Sequence, residues 1–105
     1  MNEQHGQIRI ALPIDQIGAF CRRHGVRELS LFGSVLREDF RPDSDVDVML
    51  EFHPGHGFTF ENTPAIIAAL RTIFGREIDV VEKGRIRNRF RNDAIMGSRR
   101  VVYAA

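Results

Sequence analysis

The chain has 105 residues, of which 43% are hydrophobic and 28% charged, and a formal net charge of +1. This length suits one globular domain and excludes two, so we expect a single domain over residues 1–105. No apolar run approaches the roughly 20 residues that span a bilayer, and the start of the chain lacks the pattern of a secretory signal. Cys21 is the only cysteine, which excludes an intrachain disulfide. We therefore expect a protein of the reducing cytoplasm with no membrane association.

Acidic and basic residues are concentrated in different parts of the chain. Residues 38–51 contain six carboxylates and one arginine, whereas residues 83–100 contain seven cations and one carboxylate. The acidic segment suits a metal ion, and the basic segment suits phosphates or an anionic partner. Two solvated faces of opposite charge would produce the same distribution, so a motif is needed to decide.

The first part of the chain predicts a helix followed by a strand. Pro13 suits the first turn of a helix, and Gly25 can end that helix in a left-handed conformation. The apolar residues on one face of this helix are Ile14, Ile17, Phe20 and Cys21. Residues 26–32 predict a strand, which the dipeptide Gly33-Ser34 interrupts.

The middle of the chain predicts a strand, a helix and another strand. Residues 45–52 place apolar side chains on one face and acidic ones on the other, as in a half-buried strand. A helix is expected from Thr63, as its N-cap, to Gly75. The residues that this helix buries are expected to be Ile66, Ile67, Leu70, Ile73 and Phe74. Residues 77–81 predict the next strand, with Asp79 on its polar face.

The basic segment over residues 84–105 is compatible with a helix or a strand. On a helix, Ile86, Phe90 and Ala94 form one apolar stripe flanked by arginines; on a strand, two asparagines would occupy the apolar face. We therefore favour the helix. The predicted fold class is α+β, a small mixed β-sheet covered by helices, with a core over residues 13–81.

Three aspartates are the candidate catalytic and metal-binding residues. Asp45 and Asp47 are two residues apart on a strand, so their carboxylates point to one face, with Cα atoms about 7 Å apart. Like charges this close repel unless a cation lies between them, and carboxylate oxygens favour Mg²⁺ or Mn²⁺. Asp79 can complete a triad if its strand neighbours the first. Such a site can hold two ions about 4 Å apart.

Gly33 and Ser34 form a candidate phosphate-binding loop. A glycine after a strand lets backbone amides approach a phosphate, and a following helix start offers unpaired N–H groups to the same anion. The Ser34 hydroxyl can add one donor. Alone, each of these motifs is weak, but the loop and the aspartate pair at this spacing are specific.

Together these residues resemble the nucleotidyltransferase signature of the polymerase-β-like superfamily. The positions that carry the resemblance are Gly33, Ser34, Arg37, Ser44, Asp45 and Asp47, with Asp79 further along the chain. In closer detail, residues 13–81 resemble the stand-alone minimal nucleotidyltransferases. Many members have a small residue before the arginine and a glycine after it, where this chain has Leu36 and Glu38.

The resemblance implies a polymerase-β-like fold and a site for two Mg²⁺ ions, with Mn²⁺ as an alternative. Asp45 and Asp47 would bind both metals, and Asp79 would bind the catalytic one and help to deprotonate the acceptor hydroxyl. The nucleotide-binding residues would be Gly33, Ser34, Arg37 and Ser44.

The resemblance also implies a partner. Larger relatives carry an extra domain that binds the acceptor, and this chain has no room for one, so the acceptor is expected on another protein. Minimal family members are commonly the antitoxin of a toxin–antitoxin pair. Their partner is a HEPN-domain ribonuclease encoded next to them, which they silence by binding it and adenylylating a tyrosine near its active site. The implied donor is ATP or another nucleoside triphosphate.

Two other classes of function remain open at the level of sequence. The chain could be a catalytically inactive antitoxin or scaffold, in which case an intact Asp79 has no explanation. It could instead bind nucleic acid through its arginine-rich segment, although that segment lacks the interleaved aromatic residues on which bases stack.

Overall fold

The computed structural model describes residues 10–38 and 40–105. Within these residues, helices and strands alternate around one sheet. The helices are α1 (Ile14–His24), α2 (Thr63–Phe74) and α3 (Arg89–Ser98), and the strands are β1 (Val26–Phe32), β2 (Val46–Phe52), β3 (Ile78–Glu82) and β4 (Arg100–Ala104). A short 3-10 helix, Gly33–Leu36, follows β1. No helix in the described part of the chain is both long enough and apolar enough to span a membrane.

The sheet has four strands in the order β3-β2-β1-β4. β1 pairs antiparallel with β2 and with β4, whereas β2 pairs parallel with β3. The parallel pair needs a crossover connection, and α2 provides it. The predicted α+β class with a mixed sheet is confirmed.

One face of the sheet packs against α1 and α2 and forms the main core. This core contains Ile17, Phe20 and Cys21 of α1, Leu29 and Leu31 of β1, Val46, Val48 and Leu50 of β2, and Ile66 and Leu70 of α2. The left-handed end of α1 at Gly25 is confirmed, with a φ of 70°. Ile14 was expected on the buried face but is 55% exposed, because the whole first turn of α1 is exposed and its buried face begins at Ile17.

The start of α2 differs by one residue from the prediction. Asn62, not Thr63, occupies the position before the helix, and Thr63 is its first residue. The Asn62 carboxamide oxygen accepts a hydrogen bond from the Thr59 amide at 2.7 Å, and the Thr59 hydroxyl accepts one from the Asn62 amide at 2.9 Å. This reciprocal pair closes a turn that directs the chain into the helix.

The other face of the sheet is covered in its middle by α3. Ile95 of α3 packs against Phe32 of β1 and Met49 of β2, and all three are buried. The alternating pattern had suggested that the acid-bearing face of β2 is exposed to solvent. Met49 lies on that face and is buried, so part of the face is covered. The element that covers this part is α3.

The helix predicted in the basic segment exists, but its buried stripe was wrong. Phe90 is 85% exposed and Ala94 is exposed, while Ile95 is the buried residue. The Asn88 side chain caps the helix by accepting a hydrogen bond from the Arg91 amide at 2.9 Å, so the helix begins at Arg89. Ile86 therefore lies before the helix and cannot form one helical stripe with Phe90 and Ala94; within α3, the residue that packs on the sheet is Ile95.

The last residues of the chain form a strand that the sequence did not predict. β4 continues the sheet beyond β1, with Tyr103 opposite Leu29. The pairing is completed by the Ala105 amide, which donates to the Arg27 carbonyl oxygen at 2.8 Å. The basic C-terminal segment therefore contributes both a helix and an edge strand to the fold.

Candidate active site

Neighbouring parallel strands bring two of the three predicted aspartates side by side. Asp47 of β2 lies directly opposite Asp79 of β3, and Asp45 lies just before β2. Parallel strands are about 4.8 Å apart, and residues in register point to the same face of the sheet. Asp47 is half-buried, whereas Asp45 and Asp79 are exposed. The strand of Asp79 therefore neighbours the strand of Asp47, as an aspartate triad requires.

The Asp47 carboxylate is under electrostatic strain. Burial raises its pKa above the ordinary value, and the negative charges of Asp79 and then Asp45 raise it further. A hydrogen bond from the backbone N–H of Ser34 and the positive charge of Arg91 act in the opposite direction. The three carboxylates are therefore close enough to repel one another, and a bound cation would relieve that repulsion.

Gly33 lies against the same carboxylate. Its φ is +74°, a conformation that L side chains rarely adopt, and a Cβ added there would overlap the Asp47 atom Oδ2. The register places Phe32, the last residue of β1, opposite Asp47, which brings the next residue over its side chain. A glycine is therefore required at this position for two separate reasons.

A cavity of about 610 Å³ opens beside this glycine. Its lining residues are Gly33, Leu36, Arg37, Gly97, Ser98, Arg99 and Arg100. The predicted phosphate loop thus forms one wall, and the junction between α3 and β4 forms the other. The volume lies within the roughly 300–1,000 Å³ range of ligand pockets. Of the predicted nucleotide-binding residues, Gly33 and Arg37 line this cavity.

The wall from the α3–β4 junction is held by partly buried polar contacts. Arg99 Nη1 donates to Glu28 Oε1 and to Ser30 Oγ, both at 2.8 Å. Lys83 adds ion pairs to Glu28 at 3.7 Å and to Glu51 at 3.3 Å. These contacts tie the end of α3 to the centre of the sheet, so the cavity wall is held in place from behind.

Ser34 and Ser44 contact other parts of the protein. The Ser34 amide donates to Asp47, and its carbonyl oxygen accepts from the Arg37 amide at 2.9 Å. The Ser44 hydroxyl accepts a hydrogen bond from the Arg41 amide at 3.0 Å, which closes the turn before Asp45. The structure therefore gives the Ser44 side chain a part in the turn, and nucleotide binding by Ser34 and Ser44 stays a prediction.

Arg91 was not among the predicted site residues, but it lies close enough to Asp47 for its charge to act on that carboxylate. It belongs to the first turn of α3. The sequence held one signal, the run of arginines at every second position from 85 to 91, which we expected to face phosphates or a partner. The wall formed by residues 97–100 had no sequence signal, because it depends on where α3 ends.

The chemistry of the donor set fits a hard divalent cation. Asp45, Asp47 and Asp79 supply only oxygen ligands, and their mutual repulsion favours a cation between them. In residues 10–38 and 40–105, no three acidic, histidine or cysteine side chains are grouped so that they could hold a metal ion by themselves. An ion at these aspartates would therefore need further oxygen ligands from water or a substrate.

The fold and these residues define a nucleotide-transfer domain. A sequence profile described as "Nucleotidyltransferase domain" matches residues 14–102, which is most of the chain. The chain belongs to this nucleotidyltransferase family, and it is a nucleotidyltransferase. Enzymes of this family generally use divalent metal ions.

Two curated relatives of the chain are named after one kind of nucleotidyl transfer, the adenylylation of proteins. The chain is 31% identical over 77 residues to a candidate protein adenylyltransferase of Methanocaldococcus jannaschii, covering 70% of this chain and 81% of the relative. It is 30% identical over 87 residues to the protein adenylyltransferase MntA of Thermococcus cleftensis, covering 77% of each. The relatives of this chain are therefore protein adenylyltransferases by name.

Solved structures with the same fold come from toxin–antitoxin complexes. A chain in a crystal structure of a toxin–antitoxin with AMP-PNP matches with a TM-score of 0.69 and 14% identity, over 90% of this chain and 75% of that chain. A chain in a complex of a tri-AMPylated Shewanella oneidensis HEPN toxin with its MNT antitoxin matches with a TM-score of 0.61 and 14% identity, over 88% and 70%. At this identity the likeness establishes the fold.

Proposed function

We propose that this protein is a Mg²⁺-dependent adenylyltransferase that transfers AMP from ATP to a tyrosine hydroxyl of a HEPN-type ribonuclease toxin in the cytoplasm, as that toxin's antitoxin. The observation that carries the proposal is the in-register pair of Asp47 and Asp79, with Gly33 packed against the Asp47 carboxylate. The names of the relatives and the complexes that share the fold support the acceptor class.

The residues of the site have distinct roles in this reaction. Asp45, Asp47 and Asp79 would hold two Mg²⁺ ions, which when bound offset the charge of the triphosphate and favour ionisation of the acceptor hydroxyl. Gly33 and Arg37 lie where the triphosphate would enter the cavity. The tyrosine oxygen forms a bond to the α-phosphorus, the bond from that phosphorus to the β-phosphate oxygen breaks, and pyrophosphate leaves.

Asp79 has the more exposed carboxylate of the in-register pair, which suits an interaction with an incoming acceptor. Asp47 is more buried and is held by the Ser34 amide, so its position changes less when substrate binds. We therefore assign the help in removing the hydroxyl proton to Asp79.

The decisive experiment uses the protein encoded by the neighbouring gene. Incubation of that partner with this protein, ATP and Mg²⁺ should add the mass of one or more AMP groups to the partner, on a peptide that contains a tyrosine. Asp79→Asn should leave the partner unmodified while still binding it. An unmodified partner together with efficient transfer of AMP to a free RNA end would refute the protein acceptor.

Calorimetry separates the enzyme from an inactive antitoxin. An enzyme should bind ATP only when Mg²⁺ is present. An inactive antitoxin should show no such Mg²⁺-dependent ATP binding, because it needs no nucleotide to bind its partner. Binding of RNA with a steep dependence on salt concentration would instead favour the arginine-rich segment as a nucleic-acid surface.

A further inference from the structure

The turn that leads into the aspartate site is held by one arginine from a distant part of the chain. Arg76 Nη1 lies within hydrogen-bond distance of three carbonyl oxygens, those of Arg41 at 2.8 Å, Pro42 at 3.0 Å and Ser44 at 3.2 Å. An N–H group can be shared between two acceptors, so one terminal nitrogen can serve all three. These carbonyls belong to the four residues that precede Asp45.

The same guanidinium is anchored by an aromatic ring. The Arg76 Cζ atom lies 4.5 Å from the centre of the Phe40 ring, in a cation–π contact. Stacking on Phe40 restricts the plane of the guanidinium, and its hydrogen bonds then fix the direction of the loop carbonyls. Arg76 thus contacts both ends of the segment from Phe40 to Ser44.

The backbone is held on the other side of Asp45 as well. The Val46 amide donates to the Glu77 carbonyl oxygen at 3.0 Å. Arg76 and Glu77 are adjacent, so two consecutive residues hold the residue before Asp45 and the residue after it. The same short connection from α2 continues into β3, where Asp79 lies.

We infer that Arg76 is a positioning residue for the metal site, which fixes the backbone of Asp45 relative to Asp79. This inference rests on the proposed function, because it concerns how the same aspartates are arranged. Arg76 acts through the loop and does not touch substrate. It couples two aspartates that come from separate strands and lie 34 positions apart in the chain.

Electrostatics alone would predict the opposite effect on metal binding. The positive charge of Arg76 repels a divalent ion that approaches the three aspartates. By this argument alone, Arg76→Met would remove that repulsion and bind the ion more tightly. If Arg76 positions Asp45, Arg76→Met should bind it more weakly, because one ligand becomes mobile. Loss of a group that orients a metal ligand typically costs about 10- to 100-fold in affinity. The sign of the change therefore discriminates between the two explanations.

The experiment measures binding of Mn²⁺ alone by calorimetry for the full chain and three variants. Arg76→Met should weaken binding by about 10-fold or more. Arg76→Lys keeps the charge but lacks the planar group that stacks on Phe40, so we expect an intermediate loss. Arg71→Met is the matched control, because Arg71 lies in the last turn of α2 and its guanidinium bonds the exposed Glu77 side chain, at 3.0 Å. The control should bind Mn²⁺ like the unaltered protein.

A second readout distinguishes positioning from general damage to the fold. AMP transfer by Arg76→Met should recover when Mn²⁺ is raised to saturation, since the excess ion restores occupancy; a misfolded variant would not recover. Unchanged or tighter Mn²⁺ binding in Arg76→Met would overturn the inference and leave the proposed function standing. If that variant does not fold, Arg76→Lys decides, and Mn²⁺ affinity equal to that of the unaltered protein overturns the inference. Failure of the unaltered protein to bind Mn²⁺ or transfer AMP would refute the proposed function itself, and this inference with it.

Discussion

Gly33 and Asp47 are in such close contact that the glycine has no space for a side chain: a Cβ at residue 33 would overlap the Asp47 carboxylate. The contact joins the predicted phosphate loop after β1 to Asp47 of β2. Two motifs that are separate in the sequence are therefore parts of one surface, and neither can change its backbone without disturbing the other.

The first prediction concerns the contact of Gly33 with Asp47. Gly33→Ala should abolish AMP transfer. It should also lower the free energy of unfolding by more than the cost of a left-handed conformation for a non-glycine residue, which is about 1–2 kcal/mol. Gly55→Ala is the matched control, because its φ is +85° and nothing lies within 4 Å of an added Cβ. Urea unfolding gives both free energies. Equal losses in the two variants would show that the overlap with Asp47 has no energetic effect.

The second prediction is that Asp47→Asn abolishes transfer but stabilises the metal-free protein at neutral pH. Folding raises the Asp47 pKa, so the unaltered protein loses stability as pH rises from the unfolded pKa through the folded one. The Asp47→Asn variant has no such loss. Its free energy of unfolding should therefore exceed that of the unaltered protein above this pH range, and the difference should vanish below it. Asp43→Asn, which removes an exposed carboxylate of the same segment, is the control. Thermal unfolding across pH measures the effect, and an advantage that does not depend on pH would contradict the assignment.

The third prediction is that Mg²⁺ stabilises the unaltered protein against unfolding. A ligand at 100 times its dissociation constant adds about 2.7 kcal/mol to the free energy of unfolding. Asp79→Asn should reduce this gain sharply, because it removes one carboxylate of the in-register pair. The gain is measured as the shift of the unfolding midpoint with Mg²⁺ concentration. The same shift in Asp79→Asn would exclude Asp79 as a metal ligand.

The fourth prediction separates Arg91 from its neighbours. The sequence indicated only that this basic segment suits phosphates or an anionic partner, but the charge of Arg91 also lowers the Asp47 pKa. Arg91→Gln should therefore tighten Mn²⁺ binding without nucleotide and weaken binding of ATP with Mg²⁺. Arg89→Gln changes an exposed arginine two positions away and should alter neither. Both affinities are measured by calorimetry; a weaker Mn²⁺ affinity in Arg91→Gln would contradict the charge argument.

The parts of the fold that local pattern determines were predictable. The end of α1 at Gly25 and the bounds of β1 follow from glycine conformation and the apolar pattern, and both are confirmed. The position of Asp79 opposite Asp47 needed one further assumption, that their strands are neighbours. The chemical types of those residues were sufficient to suggest that they share one site.

The parts that depend on distant contacts were not predictable. β4 forms because the β1 edge is open to it; Val101, Val102 and Tyr103 favour a strand, but so short a segment does not show which strand it pairs with. α3 begins at Arg89 because Asn88 caps it, and its tertiary packing buries Ile95 and leaves Phe90 in solvent. The role of Arg76 has no local pattern at all, because its three acceptors lie 32 to 35 positions earlier.

The position of β4 has a consequence for synthesis of the protein in the cell. The ribosome releases the chain from its N-terminus, so β1 emerges long before the strand that pairs with its outer edge. The second wall of the cavity, residues 97–100, emerges only after β2, β3 and most of α3. A nascent chain can therefore display Asp45, Asp47 and Asp79 while it still lacks the pocket, which is complete only after residue 100 has emerged.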